Sequence, residues 1–148
     1  AHSEEHSIEL QIPFLQLLNP EVKLVAISIG SLNLKKLDCL AVTLVKHLGD
    51  EALIIASSDM THYESRTSVL AKDKRALEKV INFDGPALLE ICDREEITMC
   101  GRGPVVVALK CSELQGASEV RLLCHDTSRA SAGVPDGPVV GYAALAIL

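Results

Sequence analysis

Two serines, an aspartate and a histidine directly follow a run of small and apolar residues near the middle of the chain. The run is Ala52-Leu-Ile-Ile-Ala56, and the polar residues after it include Asp59 and His62. An aspartate can orient an imidazole or accept a proton, and histidine titrates in the range useful for acid–base catalysis. We therefore predict that Asp59 and His62 are catalytic. The plainer alternative is that Asp59 caps the next turn while His62 is half exposed.

Cys100 lies in the loop Thr98-Met-Cys-Gly-Arg-Gly-Pro104, directly before a predicted helix start. Backbone amides and the positive end of the helix dipole favour a thiolate at such a position, and Arg102 adds positive charge. A thiolate can serve as a nucleophile or as a soft metal ligand. The alternative is a loop cysteine that fills space beside a glycine turn.

His2 and His6 are four residues apart, a spacing that can place two imidazoles on one helix face for a metal ion. Glu5 and Glu9 lie in the same segment and offer a second interpretation, because acidic residues favour the positive end of a helix dipole. The two interpretations stay open on the local sequence.

The other cysteines and histidines are predicted to be structural. We expect Cys39, Cys111 and Cys124 to be small buried hydrophobes, and reduced thiols fit a cytoplasmic protein. The five cysteines include no Cys-x-x-Cys pair, which argues against a zinc ribbon or a thioredoxin motif. His47 is expected on the surface beside carbonyls at a helix end, and His125 belongs to a common His-Asp dipeptide.

The elements that must position these residues alternate between helix and strand. Helices are predicted from Ser3 or Glu4 to Leu18 with a kink or restart at Pro13, and over Asn33–His47, Ser65–Asn82, Asp84–Cys92 and Pro104–Leu114. Strands are predicted over Val22–Ile29, Ala52–Ala56, Glu119–Cys124 and Val139–Ile147. This pattern indicates an α/β fold, an open and mostly parallel or mixed sheet with flanking helices and at least two parallel neighbouring strands.

Composition narrows the class of protein. The 148 residues are 48% hydrophobic and only 3% aromatic, which indicates one domain with an aliphatic core. The net charge of -6, with no basic cluster, argues against nucleic acid as a partner. Without a signal peptide or an apolar stretch long enough for a bilayer, we expect a cytoplasmic protein without a membrane partner.

Four motifs in order resemble the Memo-like family, also called the AmmeMemoRadiSam system protein B family. The motifs are Glu5-His6-Ser-Ile-Glu9, Ser57-Ser-Asp59-Met-Thr-His62, Met99-Cys100-Gly-Arg102 and Val140-Gly-Tyr142-Ala-Ala144. The resemblance extends over the whole chain, and four ordered motifs are far more specific than any one of them.

The resemblance implies a fold similar to class III extradiol dioxygenases, which use a non-haem iron in a pocket at the sheet edge. Cys100 would then be the metal ligand from this chain, and Asp59 and His62 would line the same pocket. Further pocket-lining positions implied by the motifs are Glu5, His6, Ser58 and Arg102. Because a cysteine stands where the dioxygenases have a carboxylate, iron, copper or zinc could each be the metal.

Two family motifs, Pro-His-Ala-Gly and Gly-Pro-x-His, supply metal-binding histidines and do not occur in these 148 residues. We therefore expect a single Memo-like domain over residues 1–148 that lacks its N-terminal part. The metal site within this chain is expected to be incomplete.

The leading functional hypothesis is a metal-dependent redox or oxygen chemistry, carried out by an oxidoreductase-like protein with iron or copper. The alternative is a non-catalytic adaptor that binds a peptide, such as a phosphotyrosine-bearing tail, through Arg102. The resemblance also implies AMMECR-type and radical-SAM proteins as partners. A third hypothesis is a cysteine hydrolase with Cys100 as nucleophile and His62 as base.

Overall fold

The computed structural model describes residues 6–49, 52–129 and 137–148. The chain forms two compact units, residues 1–30 and 31–148. In the first unit, helix α1 spans Ile12–Leu18 and ends at Asn19. Pro13 lies in the first turn of α1, where a missing N–H is tolerated, so this proline starts a helix as one of the two expectations had it. The expected start at Ser3 or Glu4 lies outside the described residues.

Four helices lie in the described part of the second unit, and all four were predicted. They are α2 (Leu34–His47), α3 (Arg66–Ile81), α4 (Gly85–Arg94) and α5 (Arg102–Leu114). The side chains of Asn33, Ser65 and Asp84 each accept a backbone N–H three residues later, which caps α2, α3 and α4. No helix among the described residues has both the length and the apolar character needed to cross a membrane.

The sheet has three strands in the described residues, in the order β1-β3-β2. They are β1 (His62–Glu64), β2 (Val120–Thr127) and β3 (Val139–Ile147). Helix α3 packs against β2 and β3, so the fold is α/β. Both strand pairs are antiparallel, and the prediction of parallel neighbours is wrong for this part of the chain. For the β2–β3 pair the physical reason is that residues 128–138 alone join the two strands, whereas parallel neighbours need a crossover of about a dozen or more residues.

Two predicted strands do not form. Residues 22–29 and 52–56 have no assigned secondary structure and belong to no ladder in the described structure. Val25 and Leu53, one from each predicted strand, are 84% and 80% exposed. An apolar run becomes a strand only when a neighbouring strand accepts its hydrogen bonds, and no described residue pairs with either run.

The cysteines are only partly placed as predicted. Cys111 is buried, its Sγ lies 3.6 Å from the carbonyl oxygen of Ala41, and burial raises the pKa of its thiol. Cys39 is exposed because α2 buries the opposite face, which carries Leu37 and Ala41. Cys124 is also exposed, since the middle of β2 is largely uncovered by the described residues. The expectation of burial is therefore wrong for Cys39 and Cys124.

A carboxylate at the end of β1 ties this short strand to α3. Lys72 donates a hydrogen bond of 2.7 Å to Oε1 of Glu64, and the hydroxyl of Ser68 donates to Oε2. These two hydrogen bonds, that of Lys72 first, lower the pKa of Glu64. Tyr63 lies between His62 and Glu64 in β1. It adopts a left-handed φ of 57° at an irregularity in the β1–β3 register.

We predict that Glu64→Gln lowers the free energy of unfolding by about 1 kcal/mol near neutral pH, because the ionised acceptor for Lys72 is lost. Since the folded-state pKa of Glu64 lies below the ordinary 4.5, its stabilisation is present above that pH and disappears as pH falls through the lowered value. Urea unfolding followed by circular dichroism between pH 7 and acid conditions measures both effects.

The control for this prediction is Glu78→Gln, because Glu78 lies on α3 with its side chain 61% exposed. This substitution should change stability little at any pH. A difference between Glu64→Gln and the original chain that persisted unchanged in acid would contradict the assignment.

Candidate functional site

Asp59, His62 and Cys100 lie together in the second unit. One potential ligand atom from each residue lies within 4.8 Å of the other two. The Oδ2 atom of Asp59 is 3.4 Å from Nε2 of His62, and the side chain of His62 is 20% exposed while that of Asp59 is 48% exposed. The structure therefore brings together a carboxylate, an imidazole and a thiol that two separate stretches of sequence supply.

The two ends of segment 59–62 are held by the loop that precedes α5. The backbone N–H of Asp59 donates to Sγ of Cys100 at 3.3 Å. The N–H of His62 donates to the hydroxyl of Thr98 at 2.7 Å. Asp59 and His62 are thus fixed relative to Cys100 through the backbone as well as by side-chain proximity.

The middle of the same segment is held by β3 and α3. Met60 donates its N–H to the carbonyl of Gly141 at 2.9 Å, and Gly141 donates back to the carbonyl of Thr61 at 2.9 Å. The N–H of Thr61 donates to Oδ1 of Asp73 at 3.0 Å. Met60 and Thr61 are both buried.

Gly101 allows the cysteine loop to approach the end of the 52–58 segment. Its N–H donates to Oγ of Ser58 at 2.8 Å, and that hydroxyl lies 3.9 Å from Sγ of Cys100. A Cβ on residue 101 would overlap the carbonyl oxygen of Ser57 and the side chain of Ser58. Ser58, predicted to line the pocket, is therefore beside Cys100, and only a residue without a side chain fits next to it.

Arg102, the first residue of α5, forms an ion pair with a residue of α4. Its guanidinium donates to Oδ1 of Asp93 at 2.7 Å, and its side chain is 20% exposed. Burial raises the pKa of the Cys92 thiol, and the nearby charge of Arg102 opposes that increase. The positive charge of Arg102, which we expected to act on Cys100, therefore acts on Asp93 and Cys92.

Comparison with known proteins decides the family. The Memo-like protein family matches residues 1–146. The chain belongs to the Memo-like family. It is 36% identical over 148 residues to a MEMO1 family protein of Pyrobaculum aerophilum, covering 98% of this chain and 52% of that protein. The MEMO1 family protein of Ignicoccus hospitalis is 37% identical over 153 residues, with 98% and 52% covered. The chain thus spans about half the length of these curated relatives.

The predicted pocket residues at the start of this Memo-like chain lie outside the described residues or in the first unit. Glu5 and His2 lie outside the described residues. His6 belongs to the first unit, where its Nδ1 atom lies 2.6 Å from Oε1 of Glu9 on an exposed surface. Pocket-lining roles for Glu5 and His6, and the proposed His2–His6 pair, stay predictions.

Sequence reasoning missed Asp73 and His125. Asp73 is fully buried, and its Oδ2 lies 3.0 Å from Nε2 of His125. The sequence did contain a signal for the burial of Asp73. It is four residues from both Val69 and Leu77, so helical periodicity places it on the buried face of α3. His47 does behave as predicted, with Nδ1 2.8 Å from the carbonyl oxygen of Thr43 on the surface.

We predict that Gly101→Ala separates the cysteine loop from Ser58 and makes Cys100 react faster with iodoacetamide, because the added methyl has no space. The alkylation rate is read at each cysteine by mass spectrometry, with exposed Cys39 and Cys124 as internal references.

The matched control is Gly49→Ala, since an added Cβ at residue 49 meets nothing within 4 Å. It should leave the relative rate at Cys100 unchanged. Equal rates for Gly101→Ala, Gly49→Ala and the original chain would show that the close approach does not constrain Cys100.

Proposed function

We propose that Asp59, His62 and Cys100 form one wall of a metal centre in this Memo-like protein and that the centre carries out redox or oxygen chemistry. The observation that supports the proposal is the convergence of a carboxylate, an imidazole and a thiol within 4.8 Å of one another. The three residues come from segments that are otherwise about forty positions apart, so local sequence alone does not explain their proximity.

The donor set fits a first-row transition metal. Thiolate and imidazole ligands favour iron, copper and zinc, and a carboxylate is compatible with each of them. Two ligands at about 2.1 Å from a tetrahedral ion lie roughly 3.4 Å apart. The Oδ2 atom of Asp59 and the Nε2 atom of His62 have that separation. A modest movement of the Cys100 side chain would complete the set.

The residues of this chain have distinct tasks in the proposal. Cys100 supplies the thiolate, which we propose as the main ligand from this chain, and His62 supplies a neutral imidazole. Asp59 binds the ion through Oδ2 beside Nε2 of His62; where Oδ2 instead accepts a hydrogen bond from Nε2, the ligand atom of His62 is Nδ1. A bound iron or copper would supply one-electron redox chemistry that protein side chains lack. Three ligands on one side leave positions for further ligands and for substrate.

The two other hypotheses receive less support from the geometry. An anionic peptide needs a free cation, and Arg102 already pairs with Asp93. A cysteine hydrolase needs a ring nitrogen of His62 in hydrogen-bond contact with Sγ of Cys100, and among the described residues Sγ instead accepts the N–H of Asp59. Covalent trapping of Cys100 by an ester or amide substrate, detected by mass spectrometry, would favour the hydrolase. Partnership with AMMECR-type or radical-SAM proteins remains a proposal that the family resemblance suggests.

We predict that the chain binds cobalt(II) with a thiolate-to-metal absorption band and that Cys100→Ser removes the band. His62→Ala and Asp59→Asn should each weaken the affinity by about tenfold or more, because each removes a ligand or the group that orients it. Titration of the metal-free chain with cobalt(II), followed by absorption spectroscopy and calorimetry, measures these changes.

Cys39→Ser is the control, because Cys39 is also an exposed free thiol but lies on α2. It should retain the band and the affinity. The proposed metal centre is wrong if Cys100→Ser binds cobalt(II) as the original chain does, or if Cys39→Ser loses binding equally.

A further inference from the structure

We infer that Asp73, paired with His125, is the positioning residue for segment 59–62. The inference concerns a buried carboxylate on α3 and rests on the proposed function of the segment that it holds. Asp73 and His125 contribute nothing to the three-residue group itself. The role of Asp73 is to keep Asp59 and His62 at the separation that a shared ion requires, while His125 pairs with its second carboxylate oxygen.

Asp73 is a charged residue with no exposed surface. A buried carboxylate is costly unless its oxygens accept hydrogen bonds. Oδ1 accepts the backbone N–H of Thr61 at 3.0 Å, and Oδ2 lies 3.0 Å from Nε2 of His125. Both oxygens thus have a polar partner, one on the site segment and one on β2.

Asp73 is tightly packed against Gly141 of β3. A Cβ on Gly141 would overlap Oδ2 and would crowd Val69, so β3 can lie against the carboxylate only with glycine at this position. Gly141 also exchanges backbone hydrogen bonds with Met60 and Thr61. The carboxylate therefore sits at the point where α3, β3 and the site segment meet.

The position of Thr61 makes this hydrogen bond important for the site. Thr61 is two residues after Asp59 and directly precedes His62. A backbone shift at Thr61 would therefore move both side chains. The other three N–H groups of the segment donate to Cys100, Gly141 and Thr98, so Asp73 is the acceptor that α3 contributes to the segment.

Three variants separate positioning from general stability. Asp73→Ala removes both contacts. Asp73→Asn keeps a carbonyl oxygen for the Thr61 N–H and alters only the contact with His125. His125→Gln removes the imidazole and leaves the carboxylate for Thr61. All three should lower the thermal midpoint, because each disturbs a buried polar pair.

We predict that only Asp73→Ala disturbs the site. Amide hydrogen exchange at Thr61 should become about tenfold faster in Asp73→Ala, and cobalt(II) affinity should fall by about tenfold. In Asp73→Asn and His125→Gln the cobalt(II) affinity should stay near that of the original chain, and exchange at Thr61 should accelerate only as much as exchange at the buried core residue Val80. The alkylation rate of Cys100, referenced to Cys39 and Cys124, gives a third reading that needs no metal.

The outcomes distinguish this inference from the proposed function. If the original chain binds no cobalt(II), the metal centre is wrong, while amide exchange and alkylation still decide the role of Asp73. The inference is overturned if Asp73→Ala speeds exchange at Thr61 no more than at Val80, or if Asp73→Asn speeds it more than at Val80. Should Asp73→Ala not fold, Asp73→Asn decides alone, because its exchange at Thr61 must follow the loss of stability without exceeding it.

Discussion

Backbone hydrogen bonding across residues 59–62 holds the candidate site together. Each of four consecutive N–H groups donates to a different partner: the sulfur of Cys100, the carbonyl of Gly141, the carboxylate of Asp73 and the hydroxyl of Thr98. Residues 59–62 are fixed in place because every N–H group is bonded, although only His62 belongs to a strand and none of the four belongs to a helix. The arrangement of the Memo-like site thus depends on acceptors from α3, β3 and the loop before α5.

The helices were predictable because their signals are local. Apolar residues at helical spacing indicate α2 to α5, and capping residues such as Ser65 and Asp84 mark their starts. That residues 22–29 and 52–56 form no strand in the described structure was not predictable in the same way. Whether an apolar run pairs depends on a neighbouring strand elsewhere in the chain, and local sequence carries no information about that neighbour.

The residues of the candidate site were likewise only partly predictable from local sequence. Asp59 and His62 are three residues apart, so their proximity follows from local sequence, whereas the meeting with Cys100 was implied only by the family resemblance. Asp73 and His125 lie 52 positions apart in the sequence, and a single sequence does not reveal such a pair. The one local signal was an acidic residue at a buried position of α3, which should be interpreted as a functional or structural anchor rather than as surface charge.

The hydrogen bond between Asp59 and Cys100 spans 41 positions of the sequence. Bringing two such distant residues together costs conformational entropy, because the intervening chain loses freedom when its ends meet. Helices α3 and α4 lie within that interval. Each helical residue advances the chain by only about 1.5 Å, so these helices shorten the segment that the contact must close. The thiol and the imidazole thus meet by way of two helices that carry neither of them.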